Sequence, residues 1–344
     1  MKLSKTLLSL SCLLVVTIAA CAMKSKYPIT DHFDGKKFYH AGLESDHSLW
    51  SVFKWAVSRP DLNFPEWLEN KFKPQLPQKL EEKKVAATFI NHSTFLLQTK
   101  NFNFLTDPIW SKRTSPVSFL GPKRFRDPGM KIEELPPIHF VVLSHNHYDH
   151  FDLQTIKDLH QKFKPVFIMA LGNSKLIADI KDIQVVELDW WQSHTVPNNG
   201  SKAKITLVPA QHWSARGLTD QREALWGGYV IESDSAKIYF AGDTGYNEGI
   251  FTTIADTFKE PDLALLPIGA YEPRWFMKNN HINPEESVQI HLTLKPKISV
   301  AMHYGAFRLS DEDFGQPEKD LATAKKNSRV ENFVTLEVGE TKVF

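Results

Sequence analysis

The chain is nearly devoid of cysteine. Its 344 residues contain two, Cys12 and Cys21, both within the first 21 positions. The body beyond them therefore has no disulfide framework and no thiolate to serve as nucleophile or metal ligand. Excess charge is lacking as well. Lys+Arg number 41 and Asp+Glu 40, a net charge of +1. Nothing in that balance marks a surface for a polyanion, so no nucleic-acid partner is expected. No internal repeat or low-complexity segment interrupts the chain. What is present is ordinary globular composition, 42% hydrophobic and 24% charged, at a length that can bury a large core.

The first residues stand apart. Lys2 and Lys5 precede an apolar stretch over 7–20 that ends in Ile18-Ala19-Ala20-Cys21. The stretch is short for a membrane span and has the order of a secretory signal. Its last four residues resemble the bacterial lipobox, in which the cysteine becomes the lipidated first residue of the mature protein. Residues 1–21 are therefore expected to be a lipoprotein signal peptide. The mature protein is expected to be an exported, membrane-anchored bacterial lipoprotein on the periplasmic or cell-envelope face, held through a lipidated Cys21. An ordinary signal peptide or an uncleaved anchor is the alternative. With Cys12 removed and Cys21 lipidated, any metal ligands must be His, Asp or Glu.

Residues 22–84 read as a tether and N-terminal helical lead-in. The part up to about 48 is polar. Apolar residues at 49, 52, 53 and 56 of LWSVFKWAV have helical spacing. That helix either docks on the body or presents an aromatic face to a membrane or a substrate. KPQLPQ (73–78) is a proline-punctuated linker. From residue 85 the texture changes to short β-type runs such as VAATFI, STFLLQT, HFVVLS, PVFIMA, KITLVPA, KIYFAGD, LALLPIG and ISVAMHYG. Helical patterns fall near 153–162, 173–181, 249–256 and 284–294. Too many strands are direct neighbours for a simple βα alternation. The pattern predicts an α+β domain over 85–344, two packed sheets with helices outside.

Three histidines and two aspartates crowd residues 143–152, LSHNHYDHFD, directly after the apolar run Phe140, Val141, Val142, Leu143. His145 and His147 are two apart, so in extended chain they point to the same side. Asp149 and His150 come as the chain turns toward a helix near Leu153, with Asp152 a candidate cap. Two imidazoles thus aim one way, a carboxylate and a third imidazole another, which suits two metal ions rather than one. Each zinc takes about four donors, so the cluster is incomplete. His212 follows ITLVPAQ, Asp243 sits in the Gly242-Asp243-Thr244-Gly245 turn after IYFAG, and His303 follows ISVAM. Each comes immediately after a strongly apolar run. Imidazole and carboxylate donors without thiolate suit Zn, and also Fe, Mn or Co.

The ordered set HxHxDH, His, Asp in a G-D-T-G turn, then His, resembles the metallo-β-lactamase superfamily over roughly residues 85–344. The resemblance implies an αββα sandwich, two mixed sheets flanked by helices, with a binuclear metal site along one edge. It implies that His145, His147 and His212 hold one ion, that Asp149, His150 and His303 hold the other, and that Asp243 bridges them. A redox-active branch of the superfamily usually has glutamate in place of His147. The histidine here implies zinc-type hydrolysis, with two Zn ions per chain.

Further strings resemble the N-acylphosphatidylethanolamine-hydrolysing phospholipase D family: LTDPIWSKRTSPVSFLGPKRFRDPG, LDWWQ, VPAQHWSARG, LWGGYVIE and GAYEPRWFMKNNHINPEESVQIH. This implies a phospholipid substrate. A metal-bridging hydroxide would attack phosphorus and release an N-acylethanolamine and phosphatidic acid. Asp149, Asp243 and His281 are then the catalytic residues, with His281 orienting the phosphate or protonating a leaving oxygen. His281 precedes Asn283-Pro284-Glu285-Glu286, which reads as N-cap, proline at N1 and acidic first turn, so it sits on a loop entering a helix. His92 resembles a position beside the ligands. Lys123, Arg124 and Arg126 read as a solvated basic group, with phosphate contact the alternative, as also for Arg216 and Arg274. His160, His194 and His291 read as structural. Two positions depart from the family: Asn91 stands where it usually shows Gly, and His139 where it commonly shows an aspartate that can anchor the metal loop. The alternatives are a related hydrolase of lactones, amides or soluble phosphodiesters, and a non-catalytic metal-binding lipoprotein.

Overall fold

A computed structural model describes residues 26–40 and 49–344. The expected signal peptide and Cys21 lie outside the described residues. Strands β1 (Ala86–Asn91), β2 (Thr94–Gln98), β3 (Asn103–Thr106), β4 (Phe140–Leu143), β5 (Val166–Ala170) and β6 (Gln184–Leu188) form one sheet with the late strand β14 (Thr341–Val343). Its order is β14-β1-β2-β3-β4-β5-β6. Strands β7 (Ser193–Asn198), β8 (Ser201–Val208), β9 (Gly228–Ser233), β10 (Lys237–Phe240), β11 (Leu263–Pro267), β12 (Ile298–Met302) and β13 (Phe333–Val334) form the second, ordered β13-β12-β11-β10-β9-β8-β7. Both are mixed. β3 to β6 are mutually parallel, as are β10 to β13; antiparallel pairs join strands consecutive in the chain, and β14 lies antiparallel on β1. This is the expected sandwich of two mixed sheets.

Helices α1 (Leu49–Ser58), α2 (Leu153–Phe163), α3 (Glu248–Phe258), α4 (Arg274–Met277), α5 (Pro284–Leu294) and α6 (Gln316–Ser328) complete the architecture. β4 shows why the core strands read as unbroken apolar runs. Phe140 and Val142 belong to the main core with the inner residues of both sheets, while Val141 and Leu143 join a second cluster under α2. A strand buried on both faces has no polar alternation. α2 starts where the Asp152 side chain accepts from the Gln154 N–H, and it stops at left-handed Lys164. Ile156 and Leu159 are its buried face. α5 opens with a full capping box, Asn283 with Glu286, and Pro284 in its first turn.

The elements differ from expectation where the signal is weak. The pattern over 173–181 yields only a 3₁₀ turn, Ser174–Ile177. β7 was not expected, because it carries Pro197 and is mostly exposed. It is the edge strand, where a missing N–H costs nothing. α6 was missed because few of its residues are buried, Pro317, Leu321 and Ala324. Residues 26–40, read as tether, fold back on the body instead. Phe33 and Phe38 are buried in the main core, and the Phe38 N–H donates to the Arg222 carbonyl. α1 docks through Trp55, stacked on Phe276 at 4.9 Å with its Nε1 donating to Asp311. Among the described residues no helix is long and apolar enough to cross a membrane.

Candidate metal centre

β4 ends at Leu143, and the loop beyond it is held at both flanks. Asp152 caps α2 and also accepts from the Trp110 and Ser111 N–H groups and from the Ser111 and Thr155 hydroxyls. At the strand side Asp107, fully buried at the end of β3, takes the Ser144 N–H at 2.7 Å, the Ser144 hydroxyl at 2.5 Å and His150 Nδ1 at 2.6 Å. These bonds set tautomers. His150 gives its Nδ1 proton to Asp107, so Nε2 points inward, 3.2 Å from Asp243. The Ser144 hydroxyl is spent on Asp107, so the contact of His145 Nδ1 with Ser144 Oγ at 2.9 Å makes the ring nitrogen the donor and leaves Nε2 unprotonated. His212 Nδ1 likewise donates to the Asn280 carbonyl at 2.9 Å.

Three inward nitrogens converge as a result. His147 Nδ1 lies 2.9 Å from His145 Nε2 and 3.3 Å from His212 Nε2. Two donors each about 2.0–2.1 Å from one zinc at a tetrahedral angle stand roughly 3.3 Å apart. A second group, His92, Asp149, His150 and His303, lies alongside. Asp243 stands between the two. Its Oδ2 is 3.1 Å from His303 Nε2, 3.2 Å from His150 Nε2 and 3.9 Å from both His145 and His212. The approach depends on Gly242, at φ +61°. A Cβ there would meet that of Ser144 at 2.7 Å. His92, Asp107 and His303 also hold positive φ, conformations that cost energy in non-glycine residues and gather at functional sites.

The electrostatics divide the histidines. Burial drives His145 and His212 well below the usual imidazole range, and holds His147 and His281 near 4. Burial, aided by His303, puts His92 at about 3, so its contact with Asp149 Oδ2 at 3.0 Å is that of a neutral ring donating its Nε2 proton. His150 goes the other way. Burial opposes its charge, but Asp243, Asp149 and Asp107 outweigh it. His303 is raised to about 9, Asp243 outweighing burial. Burial works against ionisation of Asp149 and Asp243 too, yet His150 foremost holds both well below the carboxylate range. Neutral, buried imidazoles at His145, His147 and His212 are the donor state metals require, and an ion beside Asp149 and Asp243 would take the place of the protons on His150 and His303. His150 Nε2, His303 Nε2 and Asp243 Oδ1 are buried without hydrogen-bond partners. Such orphans are costly unless something fills the space between them. The donor set fits a binuclear metal site.

His145, His147, Asp149, His150, His212, Asp243 and His303 are thus brought together from four loops of two sheets. His281 joins them on the open side, with Nδ1 3.8 Å from Asp243 and its ring 5.1 Å from that of His212. The arginines do not face a ligand. Arg274 holds the His281 carbonyl and Glu286. Arg216 donates to the Asn146 and Phe151 carbonyls, bracing the loop of His145 to His150. Arg124 and Arg126 are buried, so only Lys123 of that group is a solvated base. His160 and His291 bond to the body, and His194 lies on the edge strand.

Asp107 went unnoticed in the sequence, although Phe104-Leu105-Thr106-Asp107-Pro108 carries the same signal as the ligands, a carboxylate closing an apolar strand. It resolves the doubt raised by His139. That residue lies at the opposite end of β4, bonded to the Asn103 N–H and to Asn198, away from the donors. Asp107 anchors the metal loop. Asn91 is buried and donates to the Ile109 carbonyl.

A family profile, the Beta-lactamase superfamily domain, matches residues 102–304, more than half of the chain. An N-acyl-phosphatidylethanolamine-hydrolyzing phospholipase D of Caenorhabditis elegans is 39% identical over 272 residues, covering 75% of this chain and 76% of the relative. A mitochondrial enzyme of the same name from Saccharomyces cerevisiae is 35% identical over 72% of this chain and 54% of its own length. Among solved structures, a metallo-β-lactamase fold protein of Bacillus subtilis superposes with a TM-score of 0.53 at 13% identity, over 76% of this chain and 100% of the other. With its buried His/Asp centre, the chain is a metal-dependent hydrolase of the metallo-β-lactamase superfamily and belongs to the family of the N-acyl-phosphatidylethanolamine-hydrolyzing phospholipases D.

Proposed function

We propose that the protein is a binuclear zinc phosphodiesterase that cleaves N-acylphosphatidylethanolamine to an N-acylethanolamine and phosphatidic acid. The observation that carries this reading is Asp243, unpartnered at Oδ1 and placed between two groups of imidazoles, in a chain 39% identical to a relative that bears the name of this activity. His145, His147 and His212 would hold one ion and Asp149, His150 and His303 the other, with Asp243 on both. Two bound divalent cations supply water of lowered pKa and positive charge opposite the oxygens of a phosphodiester.

The chain's own residues do the rest. Asp107, Ser144 and the Asn280 carbonyl orient the rings of His150, His145 and His212, so that their Nε2 atoms face inward. His92 steadies Asp149. Asp149 is the more open of the two carboxylates, its side chain 15% exposed against 2% for Asp243. Held ionised by its neighbours, it is placed to accept a proton. His281 is neutral near pH 7, so it serves as a hydrogen-bond donor that orients a phosphate oxygen rather than as a strong acid. Zinc-loaded protein should release N-acylethanolamine from its phospholipid and lose the activity on chelation. Faster turnover of a soluble lactone or soluble phosphodiester would displace this substrate. Export and lipid attachment at Cys21 belong to the same reading; mass analysis of the mature N-terminus tests them.

A further inference from the structure

Away from the metal donors, one buried arginine is left without an acceptor. Arg124 donates to the Ser111 and Ile109 carbonyls, Arg216 to those of Asn146 and Phe151, and Arg274 to His281 and Glu286. Arg126 has no such partner. Its side chain is 7% exposed and its Nε is buried without a hydrogen bond. The carboxylate beside it, Glu337, stands 4.0 Å from Nη1, beyond hydrogen-bonding reach. Burial lowers the pKa of Arg126 from its ordinary value, yet a guanidinium stays charged at neutral pH and offers five N–H donors. A buried charge left so poorly paired is costly unless a further group meets it.

Arg126 lines a cavity of about 290 Å³, at the small end for sites that hold small molecules. Segments far apart in sequence enclose it: the lead-in near Leu68, β1 at Phe89, the turn after β12 at Tyr304, the start of α6 and the loop after β13. The Leu68 N–H donates to the Phe125 carbonyl, and Tyr304 stacks on Phe89 at 5.2 Å with its hydroxyl on the Leu336 carbonyl. Leu68, Phe89, Tyr304, Phe314, Leu336 and Val338 give the cavity apolar walls, and none of the metal donors lines it. Its polar lining carries both signs. Besides Arg126 it includes Glu69, Glu318, Glu337 and Glu340, with Lys71 exposed. Glu318 is driven toward its neutral form by burial, and Glu340 accepts the Glu337 N–H. An inorganic anion at Arg126 would sit among carboxyl groups, and a simple amine among the glutamates would sit against Arg126. A molecule bearing both charges avoids both conflicts.

We infer that this cavity is a binding site for an α-amino acid with an apolar side chain. Its carboxylate pairs with the Arg126 guanidinium, its ammonium with Glu337, and its side chain lies against Phe89, Phe314 and Leu336. The guanidinium matches a carboxylate in two parallel hydrogen bonds. A guanidinium and a carboxylate held 4.0 Å apart, close but not bonded, can each take one end of a molecule whose opposite charges sit on a single carbon. The apolar walls favour leucine or phenylalanine over a small or charged side chain. The site is separate from the phosphodiesterase reading and stands or falls without it.

Calorimetric titration of the zinc-loaded full chain with leucine tests it. Leucine should bind in a one-to-one ratio. Isocaproate, which lacks the ammonium, and leucinamide, which lacks the carboxylate, should each bind at least about tenfold more weakly, the effect of losing a charge-assisted hydrogen bond. Arg126→Gln and Glu337→Gln should weaken leucine by at least about the same factor, with zinc content unchanged. Glu337 is exposed, so Glu337→Gln keeps the test open should Arg126→Gln fail to fold. No binding of leucine or phenylalanine at millimolar concentration overturns the proposal. Binding that Glu337→Gln leaves unchanged overturns it too, placing the amino acid elsewhere. Inorganic phosphate or isocaproate bound as tightly as leucine also overturns it, assigning Arg126 to a plain anion.

Discussion

Asp243 and His281 both lie within reach of the same imidazoles, yet their surroundings assign them different work. Asp243 is buried and central, so Asp243→Ala is expected to lose metal and activity together; two ions retained per chain by elemental analysis would refute its placement on both. His281 touches Asp243 only at 3.8 Å and is partly open. His281→Ala should lower the rate with metal content unchanged, and loss of metal would count against an orienting role. Asp107 never meets the open side but holds the Ser144 N–H, the Ser144 hydroxyl and His150. Asp107→Ala should weaken metal affinity by roughly 10–100-fold, the usual cost of removing a partner behind a ligand. Metal titration against a chelator reads this, and unchanged affinity would remove Asp107 from the centre. The ligands were legible in sequence because each closes an apolar strand. Asp107 does so as well, but one aspartate before a proline is indistinguishable from a turn until the fold lays it against His150.

At the scale of elements, the segment 26–40 shows how little a polar stretch reveals. Its hold on the body includes His32, whose ring stacks on Trp190 at 4.5 Å and bonds Asp189 and Asp31. Burial opposes the charge on His32, but the two aspartates outweigh it and its folded pKa is raised. A raised histidine stabilises fully below the ordinary value near 6.5 and ceases to do so as pH rises through the folded value. The amides of 26–40 should therefore be better protected at pH 6 than at pH 9, once intrinsic exchange is corrected for. Equal protection at the two would exclude His32 as the fastener. α2 illustrates the converse, an element whose periodicity and Asp152 cap could be read in advance. Its Ile156 is fully buried beneath the first sheet. Ile156→Ala should cost about 2–5 kcal/mol in denaturant unfolding, and a loss under about 0.5 kcal/mol would mean the helix is not a structural lid on that sheet.

Over the whole molecule the centre joins two sheets. Its donors come from the ends of β4, β8, β10 and β12, so bound ions tie one sheet to the other. Ligand present at 1,000 times its dissociation constant stabilises by about 4 kcal/mol. Chelation should accordingly lower Tm by roughly 6 °C for a chain of this length, with zinc restoring it; an unchanged Tm would show that the sheets do not depend on the ions. The sequence by itself determined the donor types and the strand-end positions of the ligands. Both follow from local chemistry: a buried strand must be apolar, and a polar cluster at its end has no other local explanation. The tertiary structure decided what proximity alone can decide. It brought residues far apart in sequence to within hydrogen-bonding distance of each other, made Asp107 rather than residue 139 the anchor, and turned Arg124, Arg216 and Arg274 from free cations into struts. None of these could be read from spacing, because each depends on which strand ends the two sheets bring face to face.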